Sequence, residues 1–125
     1  QLGTRFLVAK ECGVHQNYKN KVLKANDIAT MSTGKRLGHP VRSIKNPYTK
    51  EYFKLEYSDI SDEELEAYGR GSLYRAAVEG DEKTGCFLAG QIAGMVNKEQ
   101  TAKEIIEEIF TQAEDVLKGA TKWVK

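Results

Sequence analysis

Three stretches of this 125-residue chain carry residue types and spacings suited to chemistry. In "QLGTRF", Gly3 is followed by Thr4, so a residue without a Cβ meets a hydroxyl at what reads as a strand-to-helix turn. A plain tight turn would have the same appearance. In "FLAGQIAGMV", the residues Leu88, Ala89, Gly90 and Gln91 form an apolar, glycine-containing loop. Such loops let a backbone approach a ligand closely, or serve as connectors that pack on a neighbouring element. In "GHPVR", His39 offers an imidazole that titrates near neutral pH and suits acid–base work. His15, in "GVHQNY", sits beside an expected helix start and reads as a surface or capping residue. Two histidines and two cysteines at these spacings do not match a zinc site. Cys12 and Cys86 form no CxxC pair and read as reduced, intracellular thiols.

The elements that must position these residues are mostly helical. "TAKEIIEEIFTQAEDVL" places Ala102, Ile105, Ile106, Ile109, Phe110, Ala113, Val116 and Leu117 on one stripe. Thr101 and Glu104 fit a capping box, and Gly119 suits a stop. The acidic residues of this helix read as its solvated face. "SDEELEAYG" supplies a second capping box from Ser61 and Glu64, with Gly69 beyond the end. Shorter helices are expected in "NYKNKVLKA", in "NPYTKEYFKLEYS" behind an Asn46 cap and Pro47, and in "SLYRAAVEG" between a Ser72 cap and Gly80. "ATMSTGKRLGHPVRSIKN" and "TGCFLAGQIAGMV" are glycine-containing and show no clear period.

Composition narrows the class. Apolar residues make up 40% and charged ones 30%, and the net charge of +1 gives no reason to expect nucleic acid or an anionic membrane as partner. No apolar run approaches the roughly 20 residues that span a bilayer. The apolar run from Phe6 to Ala9 begins almost at once, with nothing nearby to pair or cover it, so the chain reads as cut from something larger. The long amphipathic helix likewise needs an apolar surface that no run of strands here supplies.

"QLGTRF", "GHPVRSIKN" and "FLAGQIAGMV", followed by the long acidic helix, together resemble the C-terminal part of the flavin-dependent enoyl-acyl-carrier-protein reductase II family, the FabK type. The nitronate monooxygenases (2-nitropropane dioxygenase-like) of the same superfamily are similar in the first segment. The resemblance implies an α/β fold, the C-terminal portion of a (β/α)8 TIM barrel that binds flavin mononucleotide (FMN) and uses NAD(P)H. Residues 1–9 would be the end of the last strand and a phosphate-binding turn. Residues 10–97 would be a mostly helical insert over the barrel mouth, and 98–125 the closing helix. By resemblance, Gln1, Leu2, Gly3 and Thr4 contact the cofactor, where a helix N-terminus favours a phosphate. Leu88, Ala89, Gly90 and Gln91 would line the substrate pocket.

No catalytic residue is expected in this chain, because the family's catalytic histidine lies in an upstream segment. His39 and Arg42 then fix the insert by hydrogen bonds, while Arg5 and Lys10 could neutralise phosphate charge or stay solvated. The implied partners are the N-terminal barrel portion and acyl carrier protein as substrate, in the cytoplasm, with a homodimer left open. The implied reaction reduces the double bond of a 2-enoyl thioester in fatty acid synthesis, with the chain alone inactive. Nitronate oxidation on the same scaffold and a non-enzymatic helical binding module are the alternatives.

Overall fold

A computed structural model describes residues 2–123. The element order is α1 (Thr4–Leu7), α2 (Gln16–Leu23), β1 (Thr30–Thr33), β2 (Val41–Ile44), α3 (Pro47–Glu56), α4 (Asp62–Gly69), α5 (Ser72–Tyr74) and α6 (Ala102–Ala120). A π-helical turn, Arg75–Glu79, continues α5, and a 3-10 turn, Gln91–Met95, follows the "LAG" segment.

Local chemistry explains most boundaries. Asn46 caps α3 by accepting from the Thr49 amide at 2.9 Å, with Pro47 at the first helical position. Ser61 and Glu64 form both halves of a capping box on α4, as Thr101 and Glu104 do on α6. His15 caps α2, its Nδ1 accepting from the Asn17 amide at 3.1 Å. Three expected ends shift. Gly69 is the last residue of α4, and α6 runs through Gly119 to Ala120. Ser72 is not a cap: the left-handed Gly71 precedes α5 and Ser72 is buried.

A two-stranded antiparallel hairpin occupies the stretch that shows no period in the sequence. Thr30 pairs with Ile44 and Thr33 with Val41. "TMST" and "VRSI" are β-branched enough to extend, yet their small polar residues mask the apolar alternation that marks a strand. The loop between them needs Gly34, which has a φ of +79° and where a Cβ would sit 2.6 Å from the His39 carbonyl oxygen. The segment after Cys86 extends this sheet by single contacts. The Ile44 amide donates to Phe87 O at 2.8 Å, and the Ala89 amide donates to Arg42 O at 3.1 Å.

Apolar side chains collect on two sides of this small sheet. One cluster joins Val8, Tyr18, Val22, Ile44, Ala76, Phe87, Ala89, Ala93 and Val96, with the Tyr18 and Phe87 rings edge-on at 4.9 Å. The other gathers Tyr48, Tyr52, Leu65 and Cys86. Helix α6 contrasts with both, because Ile105 is its only buried residue among those described. No helix among the described residues is long and apolar enough to cross a membrane.

Candidate functional site

The two stretches singled out for a ligand lie 86 residues apart and are joined by a hydrogen bond. The Gly90 amide donates to Thr4 Oγ1 at 2.8 Å. Around that bond lies a cleft of about 390 Å³. Gly3, Thr4 and Leu7 form one side, Leu88, Ala89 and Gly90 another, and Val41 and Arg42 of β2 the third.

Each wall is held by a separate device. Gly3 starts the single turn of α1, its carbonyl accepting from the Phe6 and Leu7 amides. A Cβ at Gly3 would meet nothing within 4 Å, so its cleft side is open. At Gly90 a Cβ would stand 3.4 Å from Thr4 Oγ1, so the two stretches approach to van der Waals contact here. The Leu88 carbonyl accepts from the buried Tyr18 hydroxyl at 2.7 Å, and Leu88 bridges to Ser43 on β2. Burial pushes the Tyr18 phenol well above its ordinary range, so it stays a neutral donor.

The far end of α1 rests on a buried cation. Lys19 Nζ donates to the carbonyls of Ala9 at 2.7 Å and Lys10 at 3.3 Å, and pairs with Glu99 at 3.4 Å. Lys19 thereby ties down the turn that follows α1, where Ala9 O also accepts from the Cys12 amide, and its partner carboxylate offsets the burial of its charge. Hydrogen bonds from Gln16 and Lys19 hold the Glu99 carboxyl below the usual range.

Of the eight sequence-derived site residues, the structure brings five together and sets two apart. Gly3, Thr4, Leu88, Ala89 and Gly90 share the cleft. Leu2 lines a different opening, with Ile92, Met95 and Ile109. Gln91 is exposed at the start of the 3-10 turn and does not line the cleft. Gln1 lies outside the described residues. Of the two cations considered for phosphate, Arg5 turns to Lys98 O, to the Gln100 side chain and to Glu108, tying α1 to α6. Lys10 is exposed.

Arg42 is the cation that does line the cleft, while its guanidinium donates to Thr30 Oγ1 at 3.1 Å. Its place on the wall was not readable from the sequence, because it depends on the hairpin. His39 is exposed and its backbone amide closes the hairpin loop on Gly34 O at 3.0 Å. Cys12 and Cys86 are both free, and no group of three or more His, Cys, Asp or Glu side chains able to hold a metal occurs among the described residues. The charge balance also proves uneven in space. Six lysines, Lys21, Lys24, Lys45, Lys50, Lys54 and Lys83, surround two adjoining open clefts that also hold Glu51 and Glu82.

A family model described as nitronate monooxygenase matches residues 1–112. A probable nitronate monooxygenase of Bacillus subtilis is 23% identical over 109 residues, covering 87% of this chain and 31% of that protein. The structure of FabK from Thermotoga maritima superposes with a TM-score of 0.94 at 35% identity, over 99% of this chain and 39% of that one. A methionine-to-alanine mutant of the same FabK gives a TM-score of 0.83 at 33% identity, over 99% and 37%. The chain therefore spans about a third of the length of the proteins it matches.

Proposed function

Since the chain belongs to the nitronate monooxygenase family, we propose that it is part of an oxidoreductase that binds FMN and uses NAD(P)H to reduce the double bond of a 2-enoyl-acyl-carrier-protein. The observation that carries this reading is the cleft itself. The Gly3–Thr4 turn and the Leu88-to-Gly90 loop, chosen separately in the sequence, meet there through the Gly90–Thr4 hydrogen bond.

The residues present fit a cofactor phosphate and its neighbouring substrate. The open side of Gly3 allows close backbone approach, and Thr4 keeps its hydroxyl proton to donate, because its oxygen accepts from Gly90. Arg42 adds positive charge on the facing wall, which favours an anion. Leu88, Ala89 and Leu7 make much of the remaining lining apolar, which suits a carbon chain. FMN, when bound, supplies the hydride chemistry, and the protein's part is to place and desolvate the reacting groups. Leu2 and Gln1 would complete the turn through backbone and side-chain contacts, and Gln91 would orient a polar group from the rim.

On this reading residues 1–9 carry the end of the last barrel strand and the phosphate turn, 10–97 the insert and 98–125 the closing helix. The bare apolar face of α6 is then addressed to the N-terminal barrel portion, in a cytoplasmic enzyme. The second reading is nitronate oxidation on the same scaffold, favoured by the family model and the Bacillus relative.

The test is to co-purify the chain with the preceding barrel portion, measure retained flavin, and assay two reactions. Enoyl thioester with reduced nicotinamide is expected to turn over. Turnover of a nitronate with oxygen instead selects the second reading, and a complex without flavin selects a non-enzymatic binding module.

A further inference from the structure

A second cavity, about 250 Å³ in volume, lies behind the cleft and shares Val41 and Leu88 with it. The β-hairpin covers it on one side. Tyr48 and Tyr52 of α3, together with Ser72 and Leu73 of α5, form the other side, and Cys86 completes the wall. Its side chains are held in place. The Tyr48 ring stacks on Tyr68 at 5.4 Å and 1°, and lies 6.0 Å from Tyr52. Gly69 lies against the same rings, where a Cβ would stand 3.5 Å from Tyr52.

Two polar groups of the lining are paired. The Tyr48 hydroxyl is hydrogen-bonded with Ser72, and Cys86 with Ser43. Burial pushes the Tyr48 phenol up to about 12 and raises the Cys86 thiol, so both are uncharged near neutral pH. Val41, Leu73, Leu88 and the two tyrosine rings make much of the lining apolar, which favours an apolar occupant.

We propose that this cavity receives the distal apolar end of the substrate's acyl chain, with Leu88 and Val41 as the partition that sets how long a chain is accepted. The inference rests on the enoyl-thioester reading. It draws on the shared wall: the Leu88 carbonyl is fixed by Tyr18 at 2.7 Å, while its side chain is half-buried between the two spaces. A chain whose reacting end lies in the cleft reaches the second cavity past that one side chain.

The test compares kcat/KM for crotonyl and 2-decenoyl thioesters in the holoenzyme. Leu73, which is half-exposed at the rim, is replaced in Leu73→Trp to fill the space. Decenoyl turnover is expected to fall about tenfold or more while crotonyl turnover stays within about twofold, the scale of discrimination that apolar pockets achieve. Leu88→Ala, which opens the partition, is expected to shift the ratio toward decenoyl. Loss of both substrates together in Leu73→Trp, or an unmoved ratio in both variants, overturns the proposal. If the unaltered holoenzyme turns over neither thioester, the enoyl reading itself fails, and the acyl cavity fails with it.

Discussion

The core under the cleft and helix α6 are comparably apolar as sequence, yet one is buried and the other bare. Val8, Val22, Phe87 and Ala93 are fully buried around Tyr18. On α6 the same kind of residue faces outward: Phe110 is 72% exposed, and Ile106, Val116 and Leu117 are exposed as well. An amphipathic stripe of that length forms a stable helix only on a partner surface. The difference therefore lies in what each face meets, not in how strongly its sequence patterns it. A region that buries its own apolar surface can be understood from this chain; α6 is held here chiefly by its first turns, through Ile105, Arg5 and Glu108.

The largest expected effect tests that contrast directly. Phe87→Ala removes a fully buried ring beneath the cleft and is expected to cost about 3–5 kcal/mol, read from the urea midpoint. Phe110→Ala on the same chain is expected to change stability by no more than about 0.5 kcal/mol. Equal losses would mean that α6 is packed within this chain, and the comparison would break. In the complex with the barrel portion, the Phe110 substitution is expected to weaken association.

Next in size is Lys19→Met, which keeps the aliphatic stem but removes the ammonium's bonds to the Ala9 and Lys10 carbonyls and its pairing with Glu99. Losing these charge-assisted hydrogen bonds is expected to cost about 2 kcal/mol. Because Lys19 supports α1, flavin retention by the complex should drop with it. A variant that loses stability yet keeps full flavin affinity would separate the core from the cleft.

How far these features can be read in the sequence follows the range of the interaction. Caps act within three residues, so the Asn46, Ser61 and Thr101 signals carry directly into α3, α4 and α6. The hairpin escapes because its strands have four residues each and are joined through a loop that relies on Gly34. Arg42's place on the cleft wall and the burial of Lys19 escape for the same reason: both arise from contacts between distant segments. The convergence of Gly3, Thr4 and Leu88 to Gly90 is long-range too, and nothing in local pattern carries it. It became legible only through the family resemblance, which supplies long-range information that composition and periodicity lack. Gly119 misleads as a stop because a glycine ends a helix only when the chain turns left-handed there, and here it continues helical.

A smaller pair of changes sharpens the comparison from both sides. Ser61→Ala and Thr101→Ala each remove the side-chain half of a capping box, expected to cost about 1 kcal/mol where the helix is otherwise packed. The two losses should differ in kind. Leu65 anchors α4 in the second core cluster, so its uncapping should register in the global unfolding transition. The far part of α6 lacks such an anchor, so its uncapping should appear as faster amide exchange along that helix with a smaller global change.

The smallest effect expected is a dependence on pH, read at the attachment of α6. Hydrogen bonding to Gln100 and Lys98 holds the Glu108 carboxyl below its ordinary range, and the Thr101 backbone amide does the same for Glu104. Glu99 is lowered by Gln16 and Lys19. A carboxyl whose folded value is depressed binds its proton more readily in the unfolded chain, so it contributes stability above the ordinary carboxylate range. That contribution is lost as pH falls through this range toward the depressed folded value. Stability should thus be flat near neutrality and decline in acid, with exchange along α6 rising before exchange in the Tyr18 and Phe87 core. Glu108→Gln removes the group that ties Arg5 and Lys98 to α6 and should flatten part of the acid slope. If the core amides respond to acid as early as those of α6, the two regions unfold as one, and the bare face of α6 does not mark a separate unit of stability.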